Sequence, residues 1–336
     1  MADLPLTFAS WHYDRVRALM DGSVKPEGIA LTSVSLYPGE TFQRMIQHRE
    51  FDVSEMGFKF CEKMAGAPDT PFVAIPVFPV RLFLHSAIFV NRAAGIKSPT
   101  DLIGKKVGEA LAYGHDAAIW ARGILADEYG VPIDSVTYVT GALDPIRRRD
   151  FNPFPPPKHI RVEPVPPGKT LDGMLESGEI AALYSAITPP SVVRGSNKVG
   201  RLFEDYEAVE RNYFRKTGIF PIVHLMAIRR EVYERHRFVA QSLYKAFKEA
   251  KDQAARLYKN QEANMHRLFM LPWLTKHQVE VRELMGEDWW PYGLEPNRKA
   301  LDTFLRYHHE QGLSARRLAP EELFAPETLA DYPKFV

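Results

Sequence analysis

The chain has 336 residues, 45% of them hydrophobic and 25% charged, which is typical of a globular protein of about two domains. Its 43 Lys and Arg residues balance 42 Asp and Glu residues without long blocks of one sign, which argues against a nucleic-acid binder. No stretch reaches the roughly 18 apolar residues of a membrane helix. The first ten residues lack the pattern of a secretory signal, and Cys61 is a lone cysteine. We therefore expect a cytoplasmic protein that binds a small molecule and neither nucleic acid nor a membrane.

Short apolar strands and helices alternate along the first 60 residues. This alternation predicts a mostly parallel sheet covered on both faces, and such sheets bind ligands at the carboxyl ends of their strands. Polar side chains follow two of these ends, at Trp11 to Arg15 and at Ser54 to Phe58. The predicted strands are Leu4–Ala9, Gly28–Leu36 and Phe51–Met56, and the predicted helices are a segment from Arg15 to Leu19 and a second one from Glu40 to Gln47.

Two apolar segments mark where the rest of the chain passes between two predicted lobes, and we call them crossings. Strands are predicted at Phe72–Phe78 and His85–Asn91, and a returning strand at Thr217–Arg229. The crossings indicate a two-lobed α/β protein whose discontinuous first lobe comprises residues 1–90 and 215–336 and whose second lobe comprises residues 91–214. Helices dominate after residue 230 and form a C-terminal extension. Further predicted elements are a proline-rich extended loop at Phe151–Pro157, a strand at Ile180–Ser185, and helices at Val239–Tyr258 and Arg298–Gln311.

The segment that begins at Ser98 has the outline of an anion site. Ser98 and Pro99 start a short helix, a buried strand follows from Lys106, and a long helix begins at Asp116. The backbone N–H groups near Gly114 are expected to point outward and to remain unpaired, where a carboxylate fits. The order of these residues resembles the second lobe of the type II periplasmic-binding-protein fold, in which such a helix start holds ligand carboxylates. An αβ unit that binds nothing is the alternative.

Eight stretches spread over nearly the whole chain occur in a combination that is specific, although none is specific alone. They are Tyr13–Arg15, Arg49–Met56, Ile75–Pro79, His85–Ser86, Arg122–Gly130, Lys216–His224, Trp290–Arg298 and Pro320–Phe324.

Together these stretches resemble the 4,5-dihydroxyphthalate decarboxylase family. The resemblance implies a fold like that of substrate-binding proteins, a cytosolic location and no organic cofactor. It also implies removal of one carboxylate from 4,5-dihydroxyphthalate to give 3,4-dihydroxybenzoate, as in phthalate degradation. A solute-binding protein for an aromatic carboxylate, without chemistry, is the alternative, and the sequence leaves self-association into a homo-oligomer open.

Decarboxylation of an aryl acid requires a general acid near the ring carbon and a base at the hydroxyl group. His224 and His85 lie in apolar segments at the two crossings, and Glu55 lies at the end of the third strand, so we predict these three residues to be catalytic. For each histidine, a hydrogen-bonded core residue is the alternative. No His-x-His or His-Glu-x-x-His spacing occurs, and no metal site is predicted.

The carboxylate that stays on the ring has to be held, which suits a planar guanidinium and nearby polar groups. Arg81 is the first candidate, with an ion pair to Glu55 as the alternative. For Asp14 the alternative is helix capping, and Trp289–Tyr292 is interpreted as packing a helix or as a subunit contact. The predicted substrate-binding residues are Arg81, Asp14, Arg15, His12, Tyr113, His115 and Tyr184.

Overall fold

The computed structural model describes residues 2–65, 69–145, 155–263 and 268–330. Of the proline-rich loop predicted at Phe151–Pro157, residues 151–154 lie outside this described part. Within it, no helix is both long and apolar enough to cross a bilayer.

The strands fall largely where the apolar runs of the sequence predict them. They are β1 (Leu4–Ser10), β2 (Ile29–Ser35), β3 (Val53–Gly57), β4 (Phe72–Arg81), β5 (Ile88–Asn91), β6 (Lys106–Ala110), β7 (Thr137–Gly141), β8 (Arg161–Pro164), β9 (Ala182–Tyr184), β10 (Val199–Arg201) and β11 (Ile222–Arg229).

The helices connect these strands and make up most of the chain after residue 230. They are α1 (Asp14–Met20), α2 (Pro38–His48), α3 (Asp116–Tyr129), α4 (Leu171–Ser177), α5 (Pro190–Val193), α6 (Tyr206–Thr217), α7 (Arg230–Arg235), α8 (Phe238–Ala263), α9 (Leu274–Met285) and α10 (Arg298–Glu310).

The first compact unit comprises Met1–Val80, His224–Lys299 and Ala319–Val336. Its sheet has the strand order β2-β1-β3-β11-β4. Strand β1 is parallel to β2 and β3, whereas β11 is antiparallel to β3. Apolar side chains such as Phe8 and Phe247 are fully buried and meet edge to face with their ring centroids 5.4 Å apart.

The second unit comprises Arg81–Val223 and Ala300–Leu318. Its sheet has the order β10-β5-β9-β6-β7-β8, with antiparallel pairing among β10, β5 and β9 and parallel pairing from β9 to β8. The cap predicted at Ser98 is present, because the Ser98 N–H group donates to Asp101 Oδ2 at 2.8 Å at the start of the short helical turn before β6.

The boundaries between the two units differ from those proposed from the sequence. The chain passes from the first unit to the second between residues 80 and 81 and returns between residues 223 and 224, whereas the sequence predicted 90/91 and 214/215. In addition, residues 300–318 group with the second unit. The physical reason is packing, since the Trp120 ring lies 5.7 Å from those of both Phe304 and Tyr307. Gly123 makes this possible, because a Cβ atom at this position would come within 2.2 Å of the Tyr307 ring.

Candidate active site

The sheet register of the first unit brings Glu55 and His224 together. In the antiparallel pair of β3 and β11, His224 lies opposite Gly57 and Met226 lies opposite Glu55. Residues two apart on a strand share a face of the sheet, so Glu55 and His224 are diagonal neighbours on one face. The two side chains meet, and His224 Nδ1 lies 2.6 Å from Glu55 Oε1.

Glu55 is fully buried, and its carboxylate accepts four hydrogen bonds. Oε2 accepts from Ser10 Oγ at 2.8 Å and from the Trp11 N–H group at 3.1 Å. Oε1 accepts from the Tyr13 hydroxyl at 2.8 Å as well as from His224. These donors come from the carboxyl end of β1 and its following loop, which the parallel pairing of β1 with β3 places beside Glu55.

The hydrogen bonds keep Glu55 ionised. Burial alone raises the pKa of this carboxyl group, but the hydrogen bond and positive charge of His224, with the bonds from Trp11 and Ser10, outweigh it and lower the pKa. Conversely, burial and the neighbouring carboxylate raise the pKa of Tyr13. Tyr13 therefore remains a protonated donor to Glu55.

His224 is held by one ring nitrogen and has the other nitrogen available. Its side chain is 13% exposed, and the Phe42 and His224 ring centroids lie 4.9 Å apart with the two rings nearly perpendicular. Nε2 has no hydrogen-bond partner among the residues that the structure describes. A carboxylate on Nδ1 fixes ring orientation and tautomer, which leaves Nε2 for proton transfer.

A second feature of the first unit is the guanidinium of Arg15. It lies between two aromatic rings, with its central carbon 4.4 Å from the Tyr13 centroid and 4.3 Å from the Trp290 centroid. Its Nε donates to the Pro79 carbonyl and its Nη1 to Asp14 at 3.1 Å. In the described part of the chain, Nη2 has no partner, so this stacked cation can still bind an anion.

The remaining candidates of this unit support that arrangement to different degrees. Asp14 is the first residue of α1 and not its cap; it binds Arg15 through Oδ1 and the Tyr258 hydroxyl through Oδ2 at 2.8 Å. His12 is exposed, stacks on Trp11 with ring centroids 4.2 Å apart, and lies 3.4 Å from Ser35 Oγ.

In the second unit, a side chain of the protein itself, Glu109, binds the backbone N–H groups of the predicted anion site. The expectation of unpaired donors at the start of α3 is wrong for Gly114 and His115, whose N–H groups donate to Glu109 Oε1 at 3.0 and 3.3 Å. Glu109 is fully buried and also pairs with Arg122. Burial opposes the charge of Arg122, but the Glu109 carboxylate outweighs this effect and raises the Arg122 pKa.

Two predicted tyrosines lie in the surroundings of this buried ion pair. The Tyr113 ring lies 4.3 Å from the Arg122 guanidinium carbon, and its hydroxyl donates to the Gln311 carbonyl at 3.0 Å. Tyr184, at the end of β9, is buried, and burial raises its pKa. Both side chains therefore contribute to the interior of the unit.

Arg81 and His85 also lie in this unit. Arg81 is buried at the end of β4 and donates from Nη1 to the Phe220 carbonyl at 3.1 Å. His85 lies in a short 3₁₀ turn before β5 and not on the predicted strand. It is 1% exposed, its two ring nitrogens have no hydrogen-bond partner in the described part of the chain, and burial lowers its pKa to about 4. The surrounding rings are those of Tyr129, Phe203 and Tyr213.

Sequence reasoning missed four residues of these groups. Tyr13 could have been found, because it follows the first strand next to two chosen residues, whereas Trp290 was assigned to packing. For the pair of Glu109 and Arg122, the signal was an arginine within an otherwise apolar helix, since such a charge is rarely buried without a partner.

Potential metal ligands are few near the Glu55 carboxylate. Glu55 and His224 supply two, but within the described residues of the first unit no third His, Cys, Asp or Glu side chain lies close enough to complete a group.

Comparison with solved structures identifies the class of fold. The chain resembles the periplasmic aliphatic sulphonate-binding protein SsuA from Escherichia coli, with a TM-score of 0.55 and 13% identity over 100% of this chain and 96% of that one. The putative sulfonate-binding protein SsuA from Methylobacillus flagellatus gives a TM-score of 0.56 and 14% identity, over 98% of this chain and 93% of that one. The desulfurization enzyme DSZB gives a TM-score of 0.51 and 13% identity, over 97% of each chain. The α/β periplasmic-binding-protein-like fold expected from the sequence is confirmed, including the helical C-terminal region.

Sequence relatives identify the family, although no family model matches the chain. A protein of Comamonas testosteroni named 4,5-dihydroxyphthalate decarboxylase is 33% identical over 332 residues, 99% of both chains. One of the same name from Pseudomonas putida is 32% identical over 215 residues, 64% of this chain and 83% of that one. The chain belongs to the 4,5-dihydroxyphthalate decarboxylase family, whose named members are carboxy-lyases, and the family resemblance seen in the sequence is confirmed.

Proposed function

We propose that this protein catalyses the non-oxidative decarboxylation of 4,5-dihydroxyphthalate to 3,4-dihydroxybenzoate, with His224 as the proton-transfer group. The observation that carries the proposal is the buried contact between Glu55 and His224, which leaves Nε2 available in a chain related over its whole length to proteins named for this reaction. A small aromatic dicarboxylate is the substrate. We also propose that the enzyme acts in the cytoplasm, which is consistent with its single buried cysteine, Cys61.

In the proposed reaction, the imidazolium of His224 donates its Nε2 proton to the ring carbon that carries the departing carboxylate. The para oxygen supplies electron density to the ring, and the carbon–carboxylate bond then breaks with release of carbon dioxide. The bonding pair returns to the ring, so that one proton replaces one carboxylate and the neutral His224 regains a proton from water. General acid catalysis of this kind contributes about 10²- to 10⁴-fold to the rate.

Glu55 has a positioning role in this proposal. All four hydrogen bonds to its carboxylate come from the protein, and the side chain is fully buried. A substrate cannot approach the carboxylate without displacing a donor. Its carboxylate instead binds Nδ1 and so fixes the imidazole ring with Nε2 free.

Arg15 is proposed to bind the carboxylate that remains on the ring. Its Nη2 group is available, and the Tyr13 and Trp290 rings hold the guanidinium plane in place. A planar and oriented cation matches a carboxylate better than a flexible ammonium group does.

Arg81 is a second proposed ligand for the substrate carboxylates. The Arg81→Lys variant tests it, because an ammonium group loses the bidentate geometry and weakens transition-state binding by on the order of 2 kcal/mol. Unchanged kinetics with lowered stability would show that Arg81 has a structural role, which includes its contact with the Phe220 carbonyl.

The central test is turnover by the purified protein after treatment with a chelator. We expect release of carbon dioxide and 3,4-dihydroxybenzoate from 4,5-dihydroxyphthalate. His224→Asn should lower kcat at least about 100-fold, because general acid catalysis is lost. The matched control is His48→Asn, at the exposed end of α2, which should retain the wild-type rate. Tight binding of the substrate without turnover would instead show a solute-binding protein.

A further inference from the structure

Tyr13 contacts both parts of the proposed site with a single side chain. Its hydroxyl donates to Glu55 Oε1 at 2.8 Å, and its ring lies against the Arg15 guanidinium at 4.4 Å. The hydroxyl therefore contacts the group that holds His224, and the ring contacts the group proposed to bind carboxylate.

We propose that Tyr13 is a positioning residue that couples the carboxylate-binding Arg15 to the proton-transfer pair of Glu55 and His224. This inference rests on the function proposed above and deepens it. When a substrate carboxylate binds Arg15, the change in charge reaches His224 through Tyr13 and Glu55.

The coupling follows from the sharing of one carboxylate oxygen. Glu55 Oε1 accepts from both the Tyr13 hydroxyl and His224 Nδ1, so a stronger bond from Tyr13 withdraws charge from the bond to His224. The positive charge of Arg15 makes the Tyr13 hydroxyl more acidic and hence a stronger donor. An anion bound to Arg15 cancels this influence, so Glu55 then favours the imidazolium form of His224 more strongly. Binding of the substrate thus prepares the proton donor.

The groups that bear on His224 come from several elements of the unit. Glu55 from β3 binds its Nδ1, and from α2 the Phe42 ring adds an uncharged edge. The charges of Glu55, Arg15 and Tyr37 bear on Tyr13, and Asp14 pairs with Arg15.

The Tyr13→Phe variant separates the two contacts, because it keeps the ring over Arg15 and removes the hydroxyl. We expect the limb at which kcat falls with rising pH to move to higher pH, because Glu55 loses a competing donor, while KM stays within about twofold. Trp290→Phe is the complementary change, since it disturbs the other face of Arg15 but not the bond to Glu55. It should raise KM and leave the pH profile of kcat unchanged.

The decisive measurement is the titration of His224 by NMR of protein labelled with ¹⁵N at histidine. In Tyr13→Phe, Glu55 loses a competing donor, so we expect the midpoint of His224 to rise by about half to one pH unit. Added phthalate should raise the midpoint of the wild type more than that of the variant. Tyr206→Phe serves as control, because Tyr206 is 37% exposed and lies on α6 in the second unit.

An unchanged His224 midpoint in Tyr13→Phe would overturn the proposal even if kcat fell, because a purely structural contact would not alter this titration. The measurement needs no turnover. Absence of carbon dioxide release by the wild type would therefore refute the decarboxylase function, whereas the titration would still decide the role of Tyr13.

Discussion

Replacement of His85 by Phe should make the protein more resistant to acid while leaving its activity at neutral pH intact. His85 is buried among three aromatic rings, and none of the described residues forms a hydrogen bond with its ring. Burial lowers its pKa to about 4 from the ordinary value of 6.5. Between these two values the unfolded chain binds a proton at this residue and the folded protein does not. The folded state is therefore fully stable above pH 6.5 and loses stability as the pH falls toward 4.

The size of the effect follows from the shift. One unit of pKa corresponds to about 1.4 kcal/mol, so the full shift amounts to about 3 kcal/mol at most. Between pH 7.5 and pH 5, the wild type should lose about 2 kcal/mol through this residue. His85→Phe cannot bind this proton. Between pH 7.5 and pH 5, its free energy of unfolding should therefore fall by about 2 kcal/mol less than that of the wild type.

Urea unfolding of both proteins at pH 7.5 and pH 5 measures this difference, because titrations at other residues contribute equally to both. His48→Phe, at an exposed position, is the matched control and should follow the wild type. Equal losses of stability in wild type and His85→Phe would refute the assignment of His85 as a buried neutral residue. Loss of turnover in a normally folded variant would restore His85 as a catalytic candidate.

Three further changes test the rest of the site and the second unit. Arg15→Lys loses the planar group held between two rings, so KM should rise about 10- to 30-fold with a smaller effect on kcat. Arg122→Met leaves the fully buried Glu109 without its cation, and we expect urea unfolding to show a loss of about 3–5 kcal/mol. Gly57→Val places a side chain opposite His224 on β3, on the face that carries Glu55, so we expect kcat to fall at least about tenfold in a folded protein if His224 is the proton-transfer group.

Each of these expectations has a result that would contradict it. An Arg15→Lys enzyme with the wild-type KM would exclude Arg15 as the carboxylate ligand. Lys106→Met breaks an exposed ion pair and should cost less than about 1 kcal/mol; a similar cost for Arg122→Met would mean that its ion pair contributes no more than a surface pair. A Gly57→Val protein with wild-type turnover would show that the imidazole does not depend on that space.

The sequence by itself determined the fold class, the family and most of the elements. Alternating apolar strands and helices are local patterns, and each is visible in a short window of residues, such as the run from Lys106 to Ala110. His224 and Glu55 were also found from the sequence, because each polar residue interrupts or ends an apolar strand.

Only the tertiary structure decided which side chains meet. The contact between Glu55 and His224 depends on the antiparallel register of strands 169 residues apart, and a shift of one residue would turn one of them to the other face. The donors at the start of α3 were assigned to a ligand because the sequence does not show that Glu109 points back at them from the preceding strand. A buried carboxylate needs hydrogen-bond donors, and Glu109 accepts hydrogen bonds from these N–H groups, which are then no longer available to a ligand. Residues far apart in sequence have to fold against each other before such partners are defined.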